Sequence, residues 1–299
     1  MRRVLVILPV LAVLAAALPA LARDPAPGAY LEKVSGGRID WDAGVVTASG
    51  LGVPPRGSHG AAEARAMAAR AATVVARRNL LEVIKGVQVD STTTVENFMV
   101  VSDTVVNEVS GFLQNSVVQA TSYLSDGAVE VTVAVPLRGA LAGVIIPPAV
   151  PFAPRRPESS APSAAVPPAT PSAPAPAPAA AAPAAAAPAT GLVVDAKGLG
   201  ARPAMTPRIL DQSGREVFGS AMVSREFAIQ QGMAGYAKDP SAATANPRVA
   251  GHPLVVKAVA VSGPASADLV IADADAERVR QAAAAAKFLE KCRVMIVLD

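Results

Sequence analysis

The sequence predicts an α+β protein of two small domains, each a sheet with helices packed on it, joined by a Pro/Ala-rich linker. Three observations carry this. Pro147 to Thr190 holds 14 Pro in 44 residues. Proline removes amide donors and fixes φ, so that tract sustains neither a sheet nor a long helix. Upstream, an Ala-rich helical run sits between hairpin patterns; downstream, an apolar strand, a helix and a second apolar strand close the sequence. A length of 299 residues agrees with about two domains.

Residues 1–22 read as a secretory signal peptide. Arg2 and Arg3 form a positive start, Val4 to Leu18 is an uncharged apolar run, and Ala20-Leu21-Ala22 is an A-x-A cleavage site. A transmembrane anchor needs roughly 20 apolar residues, and here Pro19 interrupts a shorter run. The mature chain is expected to start at Arg23, in the periplasm, with no transmembrane span. No Cys lies near the cleavage site, which argues against an N-terminal lipid anchor.

The first domain is expected over residues 30–146. Arg38–Trp41 returning to Val45–Ala48 reads as a hairpin. Ser58 to Lys85 reads as a helix with Ala68, Ala69, Ala72, Val75, Ala76, Leu80 and Val83 on one side and most of its charges on the other; Gly86 ends it. The β-branched run Val87–Val95 predicts a strand. Ser102 caps a second helix bearing Val105, Val109 and Phe112. Val117–Leu124, the turn Ser125-Asp126-Gly127 and the alternating Val129, Val131, Val133 and Val135 form a second hairpin. The expected order is β-β-α-β-α-β-β.

The run from Glu63 through Asn79-Leu80-Leu81, Gly86 and the Val-rich segment, then "VVQATSYLSDGAVEVTVAVPL", resembles the domain of FlgP-type envelope lipoproteins and the N-terminal module of FlgT, a periplasmic flagellar basal-body protein. The resemblance covers about residues 58–137. It implies a role in envelope or flagellar assembly, associated with the outer membrane, and implies no catalysis. The lipidation Cys of that group is missing here.

The linker spans residues 147–190, and fully extended it would reach roughly 130 Å at ~3.1 Å per residue. It is expected to be disordered, leaving two domains that need not touch. The second domain is expected over 191–299. Leu192–Ala196 is a strand, Ile209–Asp211 and Arg215–Phe218 a hairpin, and Phe227–Pro253, rich in Gly, Ala and Pro, a loop. Leu254–Val261 and Asp268–Ala272 are strands. Asp273 caps a helix with the inner stripe Ala276, Val279, Ala283, Ala286 and Leu289, and Arg293–Leu298 closes as an interior strand. Strand, helix and strand with short joins predict a parallel, right-handed βαβ unit.

Composition excludes several chemistries. Lys and Arg number 27 against 24 Asp and Glu, or 25 against 24 once Arg2 and Arg3 are removed, and no segment carries the basic stripe that nucleic acid requires. One Cys allows no disulfide framework. His59 and His252 have no nucleophile at recognisable spacing, Gly198-Leu199-Gly200 lacks the third Gly of a dinucleotide loop, and Asp273-Ala274-Asp275 lacks the rest of a calcium loop. No catalytic residue, cofactor or metal is expected. Two residues are singled out as structural. Asn79 falls on the apolar face of the first long helix, where its amide must be hydrogen-bonded. Cys292 falls in line with a buried stripe.

These readings converge on a non-catalytic exported envelope protein acting in assembly or structure through protein partners. The alternative is a periplasmic module that binds peptidoglycan or a small ligand. A pocket lined by Asn79 would favour the alternative; a flat, exposed strand edge would favour assembly.

Overall fold

A computed structural model describes residues 27–57, 60–146, 152 and 188–299. The signal-peptide pattern, His59 and nearly all of the Pro/Ala tract lie outside the described residues. The architecture is α+β, with two sheets and, among the described residues, seven α-helices.

The first half begins with three antiparallel strands, β1 (Leu31–Val34), β2 (Gly37–Asp40) and β3 (Val45–Gly52). The helix α1 (Ala61–Lys85) follows and buries Ala68, Ala72, Ala76, Leu80, Val83 and Ile84. Their spacing of three or four residues makes a single stripe. Small residues on both sides let the helix backbone sit on the strand. A Cβ added at Gly50 would lie 2.2 Å from the Ala76 nitrogen, and one at Gly52 would lie 2.0 Å from the Ala68 carbonyl oxygen.

The predicted strand over Val87–Val95 is not formed. The Asp90 carboxylate instead accepts hydrogen bonds from the Thr92 and Thr93 amides and folds the run into a tight loop; side-chain capture of this kind competes with strand pairing. Two helices follow, α2 (Val95–Val101), closed at its start by a Thr94–Asn97 capping box, and α3 (Asp103–Gln114), capped by Ser102. The hairpin β4 (Val117–Tyr123) and β5 (Val129–Pro136) comes next, and then a short helix, α4 (Ala140–Ile145), that the sequence pattern did not reveal. The strand order is β1-β2-β3-β5-β4.

The second half contains β6 (Leu192–Asp195), β7 (Ile209–Leu210), β8 (Glu216–Phe218), α5 (Arg225–Gln231), β9 (Gly235–Ala237), α6 (Pro240–Ala245), β10 (Leu254–Ser262), β11 (Asp268–Ile271), α7 (Asp273–Ala286) and β12 (Val294–Val297). The stretch Phe227–Pro253 is thus not a loop. It holds most of α5, with Ser224 accepting from the Phe227 amide, then the edge strand β9, then α6, which Asp239 caps through the Ala242 amide.

The strand order is β8-β7-β11-β10-β6-β12-β9. This overturns the expected parallel βαβ unit. β11 runs antiparallel to β10, which is parallel to β6, which is parallel to β12. β11 and β12 are therefore antiparallel, with two strands between them. Short joins around a helix do not specify which strands become neighbours. β12 is an interior strand with all four residues buried. The cap of α7 also differs: Ala272 occupies the N-cap, while Asp273 accepts from the Gln212 amide. Lys287, at φ +52°, ends the helix before Leu289.

The two halves pack against each other, contrary to the expectation that they need not touch. Ala29 pairs antiparallel with Ala237. The 87–91 loop offers the Gln88 and Val89 carbonyls to the Met205 and Thr206 amides. The Trp41 and Tyr236 rings meet edge to face at 5.5 Å. One buried apolar cluster runs through both halves.

Candidate functional site

Each chemistry-bearing residue can be followed to its partner. Asn79 is half-buried, and its side-chain amide donates to the Ser49 carbonyl of β3 at 2.7 Å. Gly36, at φ +81°, lies so close that a Cβ there would be 3.2 Å from the Asn79 Cβ. The side chain is spent on joining α1 to the sheet. Cys292 is buried and free, and burial pushes its thiol up to about 12. A protonated thiol out of solvent is a poor nucleophile.

His252 is exposed, and its amide donates to the Thr190 hydroxyl. Gly198 and Gly200 have positive φ, and the Gly198 amide donates to the Asp299 carboxylate at 2.9 Å. Asp273 and Asp275 stand in the first turn of α7, and Asp275 pairs with Arg278 at 2.7 Å. Among the described residues, no group of three or more His, Cys, Asp and Glu could hold a metal ion, and no helix is long and apolar enough to cross a membrane.

The partly buried charges that sequence reasoning missed sit at the junction and in the second half. Arg138 donates to the Trp41 and Asp42 carbonyls at 3.2 and 2.6 Å, and burial lowers its pKa. Arg248 donates to the Gly232 and Cys292 carbonyls at 3.0 and 2.8 Å. Burial, then the charge of Arg138, brings it down to about 10. Arg225 reaches from α5 to the Gly143 and Ile146 carbonyls at the end of α4. These guanidiniums satisfy backbone acceptors where two chain segments meet. Arg208 pairs with the buried Asp268, with its Nε 3.1 Å from Oδ2, and also donates to the Ser91 hydroxyl of the first half. No periodicity marks such residues in advance, because an Arg that caps a distant carbonyl looks like any surface Arg.

A cavity of about 30 Å³ lies at the junction, against Trp41, Leu137, Arg138, Met205 and Ala228. That is room for one or two waters, far below the few hundred Å³ of a typical ligand pocket.

The remaining feature is a surface. Large apolar side chains are exposed at Leu51, Val53, Met67, Val74, Val75, Val100, Val101, Val117, Val118, Tyr123 and Leu124, all in the first half; the second half adds only Val255 and Val259. Four of the eleven belong to the β4 hairpin arm. β4 is the terminal strand of its sheet, and every residue in it except the half-buried Gln119 is exposed. The register explains why. Val118, Thr121 and Tyr123 stand opposite Val133, Val131 and Val129, whose side chains are buried on the face that α1 covers. That layer ends at β5, so the core-side residues of β4 remain in solvent. The signal was present in the sequence: Val117–Tyr123 is β-branched and aromatic and carries no charge, which an edge strand ordinarily does.

Residues 191–299 match the family described as Treponema pallidum Tp0624, second domain. The match covers the second half only, about a third of the chain. No curated protein matches this chain.

Proposed function

We propose that the protein is a non-catalytic, exported cell-envelope protein that acts in the assembly or structure of an envelope complex through protein partners. The observation that carries this reading is the exposed β4 strand at the margin of the first sheet. Exposed backbone donors and acceptors on a terminal strand are a template for another strand, and large exposed apolar side chains grouped on one half mark a contact surface. The polar side chains a catalyst or ligand site would need, Asn79, Arg138, Arg248 and Asp268 among them, are already bonded within the fold. The leader pattern at residues 1–22 supports export to the periplasm. The resemblance of residues 58–137 to FlgP and FlgT modules supports an assembly role and makes a flagellar complex the setting to examine first.

Cell fractionation with a C-terminal tag tests this. The expected product is periplasmic, begins at Arg23, and is recovered by mild cross-linking in a complex larger than one chain. An unprocessed protein found in the cytoplasm would overturn the reading.

A further inference from the structure

We infer that the junction is a self-sufficient protein–protein interface, with the loop at residues 87–91 as its key: residues 27–146 and 191–299 stay bound to each other once the tract between them is cut. The partner that the second half is built to receive is the first half, and the pair, not either half alone, is the unit offered to other proteins.

The loop comes to the junction already shaped. Asp90 accepts from the Thr92 and Thr93 amides, and the Gln88 side-chain amide donates to the Asp90 and Thr93 carbonyls at 2.6 and 3.2 Å. That leaves the main-chain carbonyls of Gln88, Val89 and Ser91 for the second half. The Met205, Thr206 and Ala265 amides donate to them in turn, at 3.0, 2.7 and 3.0 Å. The Thr206 hydroxyl adds a bond to the Val89 carbonyl at 2.8 Å, and Arg208 one to the Ser91 hydroxyl at 3.2 Å. A segment ordered beforehand loses little freedom on docking. Val89 and Ser91 are buried, so parting the halves strips buried acceptors of their donors.

The rest of the junction is bonded in the same way. The Lys238 amide donates to the Gly28 carbonyl and the Gly139 amide to the Ile229 carbonyl, at 2.9 and 2.8 Å. The Asn246 side chain donates to the Asp42 carboxylate at 2.9 Å. Arg225 donates to the Gly143 and Ile146 carbonyls at 2.9 and 2.7 Å. With the loop included, about ten hydrogen bonds cross the junction among the described residues, as many as the ~10 of a specific interface of ordinary size.

Apolar burial completes the case. Trp41 of the first half meets Tyr236 of the second edge to face, and both are buried. Leu137 and Ile146 from one half, and Met205 and Ala228 from the other, are buried around the same small cavity. An apolar centre inside a ring of satisfied hydrogen bonds is the anatomy of a specific contact between separate proteins. A covalent tether adds effective concentration to such a contact and no new bond.

Cutting the folded chain tests the inference. A specific protease site is inserted after Thr170, the purified protein is cleaved, and the product is passed over a sizing column with light-scattering detection. The expected result is one peak that holds both fragments at the mass of a single chain and persists on dilution to ~1 μM, the weak end of the range for interfaces of this size. Amide exchange gives a second measurement: Met205, Thr206 and Ala265 should be as protected in the cut protein as in the uncut one. Two separate peaks would overturn the inference. So would a joint peak in which those three amides have lost their protection, because contacts other than the loop would then hold the halves. Neither result bears on export, which fractionation tests by itself.

Discussion

The two sheets use similar Val-rich strands and treat their margins differently. The first is antiparallel throughout, ordered nearly as the chain runs, and one terminal strand is exposed on both faces. The second is mixed, its order scrambled relative to the chain, and its margins are short or paired. In the first, a single long helix supplies the packing layer and is narrower than the sheet it covers. In the second, β12 and β6 are enclosed by neighbours on both sides, and nearly every residue in them is buried. A sheet closed by its own chain is a finished object. A sheet that extends one strand beyond its covering helix is suited to joining another.

The largest expected effect comes from wedging the first sheet off its helix. Gly50→Val places a side chain where the α1 backbone already stands, 2.2 Å from the Ala76 nitrogen. Neither the helix nor the strand can give way cheaply, since both are main chain. A loss of more than ~3 kcal/mol is expected, beyond ordinary overpacking, read from the urea midpoint. Amide exchange of the same variant sharpens the comparison. Protection should fall in β10 and β12 as well as in β3, because the halves share a buried cluster. Full protection in the second sheet would mean that the halves unfold separately.

The next effect is smaller and lies in the second sheet. Arg208→Ala strands the Asp268 carboxylate, whose side chain is 1% exposed. Breaking a buried pair by removing one partner costs ~3–5 kcal/mol. The lower end is expected here, because the Arg208 side chain is 46% exposed and water already weakens the pair. The double variant with Asp268→Ala should recover part of the loss, since no orphaned charge remains. A double variant no more stable than Arg208→Ala would show that the pair is not what holds this junction.

How much of this was legible depended on the range of the interaction. The β4–β5 hairpin and the stripe Ala68, Ala72, Ala76 and Leu80 were readable because periodicity and turn chemistry act over a few residues. The Asn79 hydrogen bond was readable as a need, a polar group on an apolar face, though not as a partner, because Ser49 lies 30 positions away. Val87–Val95 misled because propensity favoured a strand while Asp90 captured the amides locally. β9 and α6 were missed because three residues and six residues carry too little periodicity to stand out from a Gly/Ala-rich stretch. The antiparallel relation of β11 and β12 was not legible at all. Strand order follows from which faces bury together, and β6, which separates β12 from β10, comes about sixty residues before β10 in sequence.

The smallest effect concerns acid. Asp211 closes the β7–β8 hairpin at the margin of the second sheet and ties it to α7. Its Oδ1 accepts from the Ser213 hydroxyl at 2.6 Å and from the Ser213 and Arg215 amides at 3.0 and 2.9 Å. Its Oδ2 accepts from Arg215 Nε and Arg280 Nη2 at 2.9 and 2.7 Å. The Ser213 hydroxyl first, then Arg280, hold the carboxyl well below the usual carboxylate range. A carboxyl depressed in the folded state contributes its stability in full above the unfolded value, ~3.9, and loses it as pH falls through the folded value. The chain should therefore lose stability progressively below about pH 4 through this group. Asp211→Asn should lower the urea midpoint at pH 7 and flatten the acid limb, so that the two curves converge as pH falls. The turn of the first sheet is the control. Asp126 accepts from a single amide there, that of Ala128 at 2.9 Å, so Asp126→Asn should shift the midpoint at pH 7 by less. Parallel curves for Asp211→Asn and the unsubstituted chain from pH 7 down to pH 2.5 would show that the Asp211 network does not stabilise this margin.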